Sequence, residues 1–196
     1  MPGNFHENNK IQVRMADFTT ALSRGAGYLG LPQIFEFVNA DGRLAKWNCG
    51  QAAAATLLTH CGISPCERAV AFMNQIERRF PPNIAGGWFG SSRRRVVSIC
   101  KGHGLPLTCV RGELDLRAKL SGGDPVIVML GVCGGRFWKW DLPGGHWMVA
   151  YGFDANAIHL TNWHEPMPWP EFRQRWRSWV SRLVQMDERG LARKSP

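Results

Sequence analysis

Three residues of this chain have side chains and spacing suited to acyl chemistry. Cys49 heads the run CGQAAAATLLTHC, residues 49–61, which reads as an Ala- and Leu-rich helix closed by Gly62. The unpaired N–H groups and dipole at a helix N-terminus favour a thiolate, so a cysteine placed there suits a nucleophile. His146 follows Pro143-Gly144-Gly145 and opens the run Trp147–Phe153, which reads as a buried strand. Asn162 ends the next strand, Ala157–Asn162, and the Asp154-Ala155-Asn156 stretch between the two is a hairpin signal. Closing that hairpin brings Asn162 back toward His146, where its amide oxygen can accept the imidazole N–H and set the tautomer. Nucleophile, base and orienter then stand in the order Cys, His, Asn.

Each residue has a plainer reading, and the plainer one wins for its neighbours. A single histidine is more often a satisfied structural group than a base. His159 alternates with Ile158 and Leu160 and is expected to face solvent. His60 and His103 fall at helix ends, where a cation suits the dipole, and His164 is a loop rival to His146. Cys61-x4-Cys66 beside His60 is a weak zinc pattern without paired knuckles, so no metal is expected. Six cysteines allow 15 disulfide pairings, but their spacing and the polar N-terminus favour reduced thiols.

The elements that must position these groups follow from punctuation. Ile34–Val38 reads as a short strand. Ser64-Pro65-Cys66-Glu67 is a capping box opening a helix to Phe80, where Pro81-Pro82 stop it. Ser91 or Ser92 caps a helix over Arg93–Lys101. Leu105–Val110 reads as a strand, Leu114–Leu120 as a short helix and Pro125–Gly131 as a buried strand. Residues 132–145 read as a Gly- and Trp-rich loop. One amphipathic helix is expected from Pro170 to Met186, with Trp176, Trp179 and Leu183 on one face. Helices segregated from a mostly antiparallel sheet imply an α+β domain.

Composition sets the class. The chain has 196 residues, 44% of them apolar, which suits one folded domain. Residues 1–30 read as an N-terminal extension and 31–190 as a single domain. There is no membrane-length apolar run and no secretory signal core, so no membrane partner is expected. The chain reads as cytoplasmic when synthesised, with a signal-less route into another cell open. With 24 basic and 15 acidic side chains the net charge is +9. The excess sits in residues 93–119 (7 basic, 2 acidic) and 167–196 (7 basic, 3 acidic), whereas 120–166 carries 2 basic and 4 acidic. Such blocks leave an acidic partner surface open. No RNA-binding or zinc-finger signature accompanies them, so nucleic acid is not the expected partner.

The motifs together resemble a known family. Asn48-Cys49-Gly50-Gln51-Ala52-Ala53 resembles the nucleophile motif of papain-like cysteine peptidases, nearest to the bacteriocin-processing, double-glycine group and its free-standing relatives. Gly145-His146-Trp147-Met148-Val149-Ala150-Tyr151-Gly152-Phe153-Asp154 resembles that family's histidine strand. Asn162, 16 residues after His146, falls where the family places its Asp or Asn, and Phe172 and Trp176 resemble its closing segment. The resemblance spans roughly residues 33–180. It implies a papain-like α+β fold, with N-terminal helices that include the nucleophile helix packed on a C-terminal antiparallel sheet. It implies a catalytic domain over 31–190 that acts on a protein or peptide without a cofactor. The expected activity is peptide-bond hydrolysis through a Cys49–His146–Asn162 triad and a thioester. A glutamine deamidase of effector type with the same triad, and a catalytically impaired binding module, stand as alternatives.

Two features qualify the resemblance. The family carries a glutamine six residues before the cysteine as an oxyanion donor, and here that position is Arg43. Asn48, Arg43 and Gln33 are therefore the oxyanion or supporting candidates. Losing one such donor costs about 10²–10³ in rate. Trp138, Trp140, Trp147 and Trp163 are expected to wall a substrate groove, and the resemblance also implies that Trp163 shields the His–Asn contact.

Overall fold

The computed structural model describes residues 47–63, 69–87, 90–132, 136–137, 140–141, 144–163 and 165–194. The N-terminal extension, the expected strand at 34–38 and the capping box at 64–67 lie outside the described residues.

Among the described residues four α-helices and two longer strands come first. They are α1 (Cys49–His60), α2 (Ala69–Arg79), α3 (Arg93–Gly102), β1 (Leu107–Arg111), α4 (Gly112–Ser121) and β2 (Val126–Val132). A small hairpin of β3 (Arg136–Phe137) and β4 (Trp140–Asp141) interrupts the expected loop. Then come β5 (Gly144–Phe153), β6 (Ala157–Leu160), β7 (Met167–Pro168), α5 (Trp169–Trp176), α6 (Trp179–Leu183) and β8 (Arg189–Arg193). No described helix is long and apolar enough to cross a membrane.

The sheet is antiparallel in every pairing, in the order β1-β8-β2-β5-β6-β7. Strand alternation divides the core into two halves. Ile127, Met129, Trp147, Val149 and Leu191 pack against α1, α2 and α3. Val128, Leu130, Met148, Ala150 and Ala192 pack against Phe172 and Trp176 of α5 and Leu116 of α4. The α+β reading holds, with α1 lying on β5 at the centre. Ala54, Ala55, Leu57 and Leu58 of α1 are fully buried. The alanine run lets the helix backbone come close to the sheet.

Two expectations about the C-terminal third are corrected. The helix expected over Pro170–Met186 is two helices. Its break at Arg177-Ser178 lets the Ser178 hydroxyl accept the Ser181 N–H and start α6 afresh. Ser181 Oγ then reaches the Met129 carbonyl at 2.9 Å, tying the turn to β2. The chain also returns as β8, a central strand that the sequence reading did not contain. Its arginine ends and its glycine and alanine have little strand propensity. Gly190 belongs there by size, because a Cβ would stand 2.3 Å from Val126 Cγ1.

Candidate active site

β6 ends two residues short of the expected Asn162 for a reason. The Thr161 backbone donates to the Val149 carbonyl, and the Val149 N–H donates to Thr161 Oγ1, both at 2.9 Å. The hydroxyl thus closes the ladder, and Asn162 turns away with φ +60°. Alternate N–H groups of a strand point to the same edge, so the next donor on that edge belongs to Trp147. That N–H meets the thiol of Cys49, as do those of Gly50 and Cys49 itself at the start of α1. The Cys49 thiol therefore lies against the peptide unit that joins His146 to Trp147. His146 stands in register with Leu130, at the open end of β5.

Burial sets the protonation. It pushes the Cys49 thiol up from its ordinary value, and the three backbone N–H groups pull it partly back. It pushes His146 down. Both effects favour the neutral forms, a thiol at Cys49 and an imidazole at His146. The other cysteines lack this setting. Burial, then the charge of nearby Cys61, pushes Cys100 up to about 12, and burial raises Cys61. Cys49, Cys61, Cys100 and Cys109 are all free thiols.

Asn162 is the third residue of the expected triad. Its Oδ1 is buried and, among the described residues, accepts no hydrogen bond. An acceptor left unmet in this way costs about 1–3 kcal/mol, so a donor on a neighbouring side chain is expected to fill it.

A buried network clamps α1 to the histidine strand. Gln51 Nε2 donates to the Phe80 carbonyl at 2.8 Å, and Ser91 Oγ donates to Gln51 Oε1 at 3.0 Å. The Trp147 indole donates to the Ser91 carbonyl at 2.8 Å. Gly50 lies inside this ring, where a Cβ would stand 2.8 Å from Ser91 Cβ and 3.2 Å from Trp147 Cδ1. Sequence reading missed Ser91 and Gln51 as parts of the site, because polar residues beside an alanine run carry no chemical signature. The only hint was the position of Gln51, two residues after the nucleophile.

Several expected site residues are placed otherwise. Trp147 is fully buried in the core and offers no wall to a groove, because its ring fills the space between α1 and the sheet. Asn48 is buried with its amide donating to Glu77 Oε1, so that N–H pair is engaged on α2. Trp163 is partly buried against the α5 side of the core, with the Arg175 guanidinium 5.1 Å from its ring centroid. His159 is buried rather than solvent-facing, with Nε2 3.9 Å from Asp154 Oδ2 and its ring tilted against Tyr151. Arg43, Gln33, Trp138 and His164 lie outside the described residues, and Trp140 is described only as the first residue of β4. Among the described residues no cluster of His, Cys, Asp or Glu could hold a metal.

Solved structures share this arrangement of elements. A protein of Bacillus anthracis described as a C39-like peptidase superposes with a TM-score of 0.54 at 13% identity, covering 76% of this chain and 89% of its own. The peptidase domain of Streptococcus ComA, a bifunctional ABC transporter of a quorum-sensing pathway, gives 0.50 at 16% identity, over 76% and 93%. The fold is that of the C39-like, papain-type peptidases. A double-glycine motif protease of an AMS/PCAT transporter, solved with its leader peptide, gives 0.49 at 14% identity, over 81% and 90%. No family model matches the chain, and no curated protein matches it either.

Proposed function

We propose that the chain is a cysteine peptidase in which Cys49 attacks the carbonyl carbon of a peptide bond. His146 takes the thiol proton and returns it to the leaving amine. Asn162 Oδ1 accepts the imidazole N–H and fixes the ring, and the Cys49 backbone N–H helps to hold the oxyanion. Water, deprotonated by His146, then hydrolyses the thioester and releases the acyl product as the acid. The observation carrying this reading is the Cys49 thiol seated on the N–H of Trp147, one peptide unit from His146, in a fold shared with C39-like peptidases. The substrate class is a protein or peptide.

The test compares wild type with Cys49→Ala and His146→Ala on a mixed peptide library, read by mass spectrometry. New termini that fall by at least about 10³-fold in either variant are expected. A mass gain of about one dalton at glutamine without cleavage would move the reaction to side-chain deamidation. If neither product forms and iodoacetamide labels Cys49 no faster than Cys61, the chain is a binding module and the proposal fails.

A further inference from the structure

Among the described residues some cations pair with a carboxylate, and others, Lys101, Arg111, Arg182, Arg189 and Lys194 among them, do not. Arg117, Lys119, Arg173, Arg175, Arg177 and Arg193 each pair with a carboxylate on α4, α5 or their surroundings. Arg78 and Arg79 at the end of α2, and Arg93, Arg94 and Arg95 at the start of α3, have no carboxylate within ion-pair reach among the described residues. The guanidinium of Arg79 lies 5.2 Å from the Phe80 ring centroid, which is a contact but not a counter-charge.

The placement of three of these five is unfavourable for the fold alone, whereas Arg78 and Arg79 in the last turn of α2 suit the dipole there. Arg93, Arg94 and Arg95 form the first turn of α3, which has no acidic residue, and the positive end of a helix dipole repels cations. Arg95 Nε is sealed from solvent without an acceptor. A groove of about 560 Å³ opens along α2, lined by Ala71, Asn74, Gln75, Arg78 and Arg79. Both cationic stretches also adjoin residues that touch the chain neighbours of Cys49. Glu77, next to Arg78, accepts from Asn48, and Ser91, two residues before Arg93, packs against Gly50.

We propose that this arc is a docking surface for an acidic segment of the polypeptide on which Cys49 acts. The inference rests on the peptidase reading and adds the substrate's charge to it. Unpaired guanidinium groups bind carboxylates in bidentate fashion, and the groove's Asn74 and Gln75 amides suit a peptide backbone. Single-stranded nucleic acid fits less well, because it needs exposed aromatic platforms. The described aromatic rings of α2 and its end, Phe72 and Phe80, are buried and partly buried.

The test measures anisotropy of fluorescein-labelled oligoglutamate on the full chain. Binding is expected, and it should weaken as salt shortens the Debye length from about 10 Å to about 3 Å. Replacing Arg78, Arg79, Arg93 and Arg94 together by alanine should weaken it by about tenfold or more. Replacing exposed Arg111, Arg177, Arg182 and Lys194 instead, an equal loss of charge, should leave it within about twofold. Oligoglutamate should also slow iodoacetamide labelling of Cys49 in wild type and not in the Arg78/79/93/94 variant. Equal weakening by both quadruple variants, tighter binding of oligouridylate through the same arginines, or unprotected Cys49 would overturn the proposal. Cleavage that survives Cys49→Ala would refute the peptidase reading while leaving the binding result intact, so the two failures are distinct.

Discussion

The thiol of Cys49 takes the backbone N–H of Trp147 that strand β6 leaves unpaired. The Thr161 hydroxyl ends the ladder at Val149, two residues beyond that donor along β5. The edge of the sheet thus supplies a fixed dipole to the Cys49 thiol, and the same peptide unit carries His146. Neither a helix nor a strand alone makes this contact. It requires α1 to start where β6 stops.

The indole of Trp147 holds that arrangement from behind. Trp147→Phe keeps an aromatic ring but strands the Ser91 carbonyl. It should cost about 1–3 kcal/mol of stability, read as a lower urea midpoint with unchanged slope. Trp147→Ala should cost about 3–5 kcal/mol by opening a cavity. Equal midpoints for Trp147→Phe and wild type would remove the indole from the clamp.

Gly50 is required by space. Its φ is unremarkable, but an added methyl would meet Ser91 Cβ at 2.8 Å. Gly50→Ala should push α1 off Ser91 and lose about 1–3 kcal/mol. Because Cys49 moves with the helix, iodoacetamide labelling of Cys49 should change as well. A variant with wild-type stability and labelling would show that the helix start has slack.

Asn162 combines a backbone and a side-chain demand. Its φ of +60° suits Asn or Gly, and its Oδ1 awaits a donor. Asn162→Gly keeps the turn and loses the acceptor, so cleavage should fall by about 10–10²-fold with little loss of stability. Asn162→Ala should add about 1 kcal/mol of strain. Asn162→Asp keeps both features and should retain most of the activity. If Asn162→Gly cleaves like wild type, the residue serves the turn alone.

How much of this was legible depended on which residues signal locally. The start of α1 at Cys49, the start of α3 after Ser91 or Ser92 and the Asp154 hairpin were readable, the last two because capping and turn residues state their own conformation. Asp154 Oδ1 indeed accepts the N–H groups of Asn156 and Ala157. Strand β8 was not readable: Gly190 and Ala192 belong in it only because Val126 and its neighbours leave no room for more. Trp147 misled for a related reason. A tryptophan beside a histidine looks like a groove wall until the parity of β5 puts it on the α1 face, inside the core. His159 failed likewise, since alternation with apolar residues says which face it takes but not whether that face is covered.

The pH dependence follows from burial and has two arms. Burial lowers His60, His146 and His159 below their ordinary 6.5, so the unfolded chain binds more protons than the folded one as pH falls through that value. Their contribution is complete above 6.5 and is lost below it. Burial raises Cys49 and Cys61 above their ordinary 9.0 and Cys100 to about 12. Unfolded thiols ionise first there, so stability is complete below 9.0 and is lost as pH rises beyond it, over the window to about 12 for Cys100. Urea midpoints should therefore be highest between these limits and fall on both sides. Activity should follow the base alone on the acid side, with neutral His146 required and a half-maximal pH below 6.5. An acid limb lying above 6.5 would mean that His146 is charged near neutrality and paired with a thiolate, which would overturn the neutral-pair description of this site.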